Sequence, residues 1–101
     1  VEDGRPFVHC LYTGRAGVAG LGLTRWRSAK KLRRHVGGIC TAVDRCGPLD
    51  LGDVAVAVDF DGGAGVSVAL GHDAIGVQVT KEVGARAAAI RLADNVIRAL
   101  D

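Results

Sequence analysis

The sequence predicts a small α/β domain of the α+β kind: a five-stranded, mostly antiparallel sheet and two amphipathic helices in the order β-β-α-β-β-β-α. Three observations predict it. Apolar residues recur every three or four positions in two stretches, after Ser28 and again after Thr80, which is the period of a helix with one buried face. Elsewhere, β-forming and small residues alternate in short runs, the period of strands. Fifteen glycines fall singly or in pairs between those runs, where turns and close backbone approaches need them. The 101 residues read as one domain, 1–101, and at this size roughly 60–70% of the unfolded surface can be buried.

Each element follows in order. Residues 6–12 read as a strand bounded by Pro6 and by Thr13-Gly14, and residues 18–24 as its hairpin partner. Ser28 is placed to cap the first helix, whose inner face is Ala29, Leu32, Val36, Ile39, Cys40 and Val43. Gly47 and Pro48 are expected to end it. Gly37 and Gly38 lie inside that helix, each at about 1 kcal/mol relative to alanine. They predict either a break or a close approach by something outside the chain. Residues 54–60 then alternate, Asp61-Gly62-Gly63 turns the chain, residues 66–70 return, Gly71-His72-Asp73 turns again and residues 74–79 form the last strand. The large residues of all three strands, from Val54, Val56, Val58 and Phe60 to Ile75, Val77 and Val79, are expected on one face and the small ones on the other. Both faces are mostly apolar, so a helix is expected over each. Thr80 is expected to cap the second helix, residues 81–101, with Val83, Ala89, Ile90, Ala93, Val96, Ile97 and Leu100 inward. Arg91, Asp94 and Arg98 fall outward at pairing distance. The element order resembles that of roadblock and longin-type domains without their first helix, a likeness that brings no site residues with it.

Charge is the one strong functional signal. Between Asp3 and Asp44 there is no acidic residue and there are eight basic ones: Arg5, Arg15, Arg25, Arg27, Lys30, Lys31, Arg33 and Arg34. From Asp44 onward nine acids face five bases, so a net charge of only +2 conceals a strong polarity. Such a split points to a positive face that meets an anionic macromolecule, either nucleic acid or an acidic protein surface. The candidate site is Arg25, Trp26, Arg27, Lys30, Lys31, Arg33, Arg34 and Arg45, with Trp26 available to stack on a base. The cations also crowd the start of the helix, where its dipole disfavours them. Edge strands and a small-residue sheet face add the expectation of a homodimer.

Other chemistry finds little support. Gly14-Arg15-Ala16-Gly17 has the GxxG form of a nucleic-acid clamp but joins two strands, and no phosphate-binding loop motif occurs. Asp59-Phe60-Asp61-Gly62 begins like a calcium loop without the later ligands, so a turn role is expected. His9 and Cys10 are strand neighbours and point to opposite faces, and His35 and Cys40 diverge by about 140° on a helix. The reading is therefore of a binding module more than an enzyme, with no catalytic residue, metal or cofactor expected. An enzyme would need residues that converge only in three dimensions.

Cys10, Cys40 and Cys46 are an odd set with no zinc spacing. Reduced thiols in a cytoplasmic protein are the first expectation, and one bridge with a free thiol the second. The second expectation belongs with a different reading, a processed secreted effector or toxin-like protein, which the Val1 start and the lack of methionine also fit. No membrane span is expected, because no run of about 18 apolar residues occurs.

Overall fold

A computed structural model describes residues 5–14, 17–80 and 84–100, with the side chains of residues 18–80 and 84–100. In chain order the elements are β1 (Arg5–Gly14), β2 (Gly17–Arg25), α1 (Ala29–Ala42), β3 (Cys46–Leu49), β4 (Val54–Phe60), β5 (Gly63–Leu70), β6 (Asp73–Thr80) and α2 (Ala85–Leu100). The expected five strands and two helices stand in the expected order. The four-residue β3 joins them at one edge, so the sheet runs β1-β2-β6-β5-β4-β3 with every pair antiparallel.

The helices lie on opposite faces. α2 carries a stripe of alanines, Ala85, Ala89 and Ala93, all buried against Leu21, Leu23, Ala57, Val66, Val68, Ile75 and Val77. One alanine per helical turn lets the helix approach the valines closely. α1 packs over a smaller cluster of Trp26, Leu32, Val36, Val56 and Ala69. Among the described residues, no helix is long and apolar enough to cross a membrane.

The large residues do not share one face. Val56 pairs with Ser67 and Ala55 with Val68, whereas Val66 pairs with Val77. Directly opposed residues of an antiparallel pair project to the same side. The large row of β4 therefore faces α1, while those of β5 and β6 face α2. The loop length decides this. Phe60 pairs with Gly63, so the turn holds two residues, Asp61 and Gly62, where the sequence reading placed three. Changing a hairpin connection by one residue flips the whole alternation to the other face.

Gly63 is what permits the tight connection. A Cβ there would collide with the backbone carbonyl oxygen of Val79 and lie 2.8 Å from the Phe60 ring. Gly63→Ala is expected to destabilise the domain by about 1–3 kcal/mol through this overpacking. Chemical denaturation measures it, and an unchanged midpoint would show that β6 can move aside.

Two helix ends differ from expectation. α1 stops at Ala42, and Val43 is already extended with φ −130° and ψ 133°. The helix thus ends before Gly47 and Pro48, the residues expected to stop it, and these two lie instead in β3, which gives the β4 edge a partner, Cys46 opposite Val58. Thr80 is not a cap but the last residue of β6, opposite Val18 and Gly63. α2 starts at Ala85, where the Gly84 carbonyl accepts the Ala88 N–H at 3.0 Å. Val83 lies outside the described residues. On α2 the Asp94–Arg98 pair forms at 3.1 Å.

Candidate anion-binding surface and the groove beside it

α1 begins as its sequence dictates. Ser28 is extended, and its hydroxyl accepts the Lys31 backbone N–H at 3.1 Å, satisfying one of the orphan donors of the first turn. Leu32 and Val36, one turn apart, are buried and hold the helix to the sheet. That orientation exposes Lys30, Lys31, Arg33, Arg34 and His35. The first turn has no acidic residue and the last has no basic one, the reverse of what the helix dipole favours.

Four of the described arginines are ion-paired, and Arg91 on α2 has no ion pair among the described residues, Asp94 being taken by Arg98. Arg45, Arg86 and Arg98 pair with Asp61, Asp59 and Asp94 at 3.1–3.3 Å, and Arg25 pairs with Asp73 at 3.2 Å. Among the described residues, no carboxylate lies within ion-pair distance of Arg27, Lys30, Arg33 or Arg34. The acids of the second half neutralise other cations and leave the start of α1 positive.

Two of the sequence-predicted site residues leave the cluster. Trp26 is only 6% exposed and sits beneath α1, with the His35 ring 5.2 Å from it, centroid to centroid. The Trp26 backbone N–H donates to the His72 carbonyl at 2.8 Å, and His72 Nδ1 lies 3.0 Å from the Trp26 carbonyl, a contact made by donating from the Nδ1–H tautomer. A residue so placed is core and cannot stack on a base outside. Arg45 lies beyond the far end of α1, a helix of 14 residues, or about 20 Å. It has a left-handed φ of 52°, and its carbonyl accepts the Asp59 N–H at 2.9 Å. With its guanidinium on Asp61, Arg45 shapes the turn into β3. Arg5 and Arg15 lie outside the residues with described side chains, as do His9 and Cys10.

α1 is continuous across Gly37 and Gly38. A Cβ at Gly38 would meet nothing within 4 Å, and one at Gly37 would rest 3.8 Å from Val54 Cγ1, an ordinary contact. The break is absent, and packing among the described residues requires neither glycine.

The sequence reading did not foresee a groove beside α1. One depression of about 370 Å³ runs under the helix and is lined by Trp26, Leu32, His35, Ile39 and Ser67. A second, of about 480 Å³, continues along the sheet past Gly20, Gly65 and Gln78 to Phe60. The two share Gly22, Ser67 and Gly76. The signal lay in the glycines at alternate positions of β2, Gly20 and Gly22, which put two backbone-only positions on one face. No carboxylate lines either depression among the described residues, so His35 has no acid partner there. Nor do three or more described His, Cys, Asp or Glu residues gather in a way that could hold a metal.

Cys40 and Cys46 form a disulfide, with Cα atoms 5.1 Å apart, where free thiols were the first expectation. It ties the last turn of α1 to the start of β3. Alkylation of the native protein is expected to leave these two cysteines unmodified until a reductant is added. Reduction is expected to remove about 2 kcal/mol of stability for so short a loop. Both thiols reacting in the untreated native protein would show the bridge to be absent.

No protein-family model, no curated protein and no solved structure matches the chain.

Proposed function

We propose that the chain is a binding module that presents the start of α1 to an anionic macromolecule, an acidic protein surface ahead of nucleic acid. The observation that carries this is the set of four cations, Arg27, Lys30, Arg33 and Arg34, with no carboxylate in ion-pair reach among the described residues. They sit at a helix end whose dipole disfavours them. Gly37 and Gly38 weaken the same helix without serving its packing. Nucleic acid ranks second because binding of single strands draws on exposed aromatics, and Trp26 is buried.

Titration with a polyglutamate peptide and with a single-stranded oligonucleotide, each at rising salt, tests the reading. Polyglutamate is expected to bind at low ionic strength and to weaken as the Debye length shrinks towards about 8 Å. Binding to neither probe removes the proposal. Stronger binding to the oligonucleotide, with a logarithmic salt slope of roughly −3 for four phosphate contacts, reassigns the surface to nucleic acid.

A second reading has one specific observation behind it. Disulfides persist in oxidising compartments, so the Cys40–Cys46 bridge favours a processed secreted protein over a cytoplasmic one. The two readings are compatible, because a secreted domain can hold an acidic partner through the same surface.

A further inference from the structure

We propose that the Cys40–Cys46 disulfide is a redox latch. Closed, it straps residues 38–48 over one rim of the sheet; its reduction by a dithiol lets that segment unwind from Gly37 and Gly38 and bares the edge of β4. The inference does not depend on the basic surface. The bridge joins residues six apart and holds a stretch with little else to hold it. No residue between Val36 and Ala55 is buried. In the second half of α1, Ile39 and Cys40 are half-buried, while Thr41 and Ala42 are exposed. The last turn has no basic residue to meet the helix dipole, and Val43 and Asp44 follow it where a closing glycine would stand. The side-chain ties of the segment are exposed: Thr41 Oγ1 donates to the Gly38 carbonyl at 2.6 Å, and Arg45 pairs with Asp61. β3 adds four residues, one of them a proline without an N–H. Leu49 packs against the cluster under α2 and moors the far end of the strap.

The glycine pair supplies the hinge. Glycine gains more freedom than any other residue when a helix unwinds, and a Cβ at Gly38 would meet nothing within 4 Å. Before the hinge, Leu32 and Val36 are buried and keep the basic half of α1 seated. The cluster under α2 includes no residue from 38 to 48, so the release is local and leaves the rest of the domain folded. What it uncovers is β4, which alternates valine and alanine up to Asp59-Phe60, has no glycine or proline, and is covered on that side by β3. Free backbone groups on such a strand accept a further strand. The bridge therefore decides whether the sheet has one receptive rim or two. Opening it is thiol–disulfide exchange. One thiolate of the dithiol attacks a bridge sulfur and forms a mixed disulfide, and its second thiolate displaces that cysteine. The two cysteine sulfurs gain two electrons and two protons, and the reductant is left as its own disulfide.

Hydrogen exchange of the native protein, read by nuclear magnetic resonance before and after treatment with dithiothreitol, tests the latch. Residues 38–48 and the β4 amides facing them are expected to exchange roughly tenfold faster after reduction, while residues 29–36, β5 and β6 keep their rates. Cys40→Ser combined with Cys46→Ser is expected to show the fast pattern without reductant, which assigns it to this bridge and not to Cys10. Oxidised dithiothreitol is expected to restore the slow pattern in the reduced parent. Gly37→Ala combined with Gly38→Ala is expected to keep residues 38–42 protected in reductant, since a Cβ at either site makes no close contact. Unchanged rates after reduction would overturn the latch. Acceleration that reaches β5 and β6 equally would overturn it too, by making the bridge a staple of the whole fold. Equal acceleration in the parent and the alanine pair would remove the hinge, and the proposal with it.

Discussion

Reversing Lys30, Arg33 and Arg34 to glutamate together is expected to abolish binding of an acidic partner while the domain melts at the same temperature or higher. Each exposed charge contact contributes up to about 1 kcal/mol, so losing three lowers affinity roughly a hundredfold at low salt, and reversal adds repulsion. Stability moves the other way. All three side chains are exposed and make no ion pair among the described residues, so no described ion pair is lost. Lys30 is in the first turn of α1, where a carboxylate interacts favourably with the helix dipole by about 0.3–1 kcal/mol. For a domain of this size 1 kcal/mol corresponds to about 4–8 °C, so a rise is measurable. Residues kept for stability would give the opposite pair of results, an unchanged affinity and a lower melting temperature. Titration calorimetry with polyglutamate and a thermal melt on the same sample separate the two.

The second large effect is expected from Leu32→Ala. Leu32 is fully buried, and with Val36 it forms the buried part of α1. Truncation to alanine is expected to cost about 3 kcal/mol, the lost transfer of the side chain plus the cavity left behind. The loss should be uneven across the molecule. The α1 cluster is separate from the larger one under α2, where Val66, Val68 and Ile75 pack with the alanine stripe. Hydrogen exchange is expected to speed up through residues 29–39 first, while β5 and β6 keep their protection. The disulfide at Cys40 should hold the last turn of the helix in place, so adding a reductant to Leu32→Ala extends the fast exchange to residue 42. Uniform acceleration across the sheet would show instead that the two clusters unfold as one unit.

How much of this was legible in the sequence depended on the range of the interaction responsible. Ser28, Leu32 and Val36 announced α1 because a cap and an apolar stripe are local properties. The alternation in β4, β5 and β6 announced three strands for the same reason. It could not reveal which face each strand presents, because that rests on whether the Asp61 turn holds two residues or three. The end of α1 was hidden by a competition. Helical periodicity continued through Val43, but pairing of Cys46–Leu49 with β4 and the bridge from Cys40 overrode it. In the site, Lys30, Arg33 and Arg34 were found because charge can be counted. Trp26 was misplaced because proximity to cations along the chain says nothing about the direction of a side chain. The groove depended on two glycines of β2 coming beside Gly76 of β6, a neighbourhood fixed only by the topology.

The two rims of the sheet are not equivalent. On one side β3 is four residues long, contains a proline without an N–H, and is anchored to α1 through Cys46. Such a rim offers an incoming chain few bonds and little freedom to adjust. On the other side β1 runs for ten residues with β2 as its only partner among the described residues. A sheet with one receptive rim can add a neighbour once. Two chains joining β1 to β1 would have spent both receptive rims, and the continuous sheet between them would terminate at each end in a blunted β3. Any strand pairing through β1 would therefore close at a pair and not propagate into a fibre.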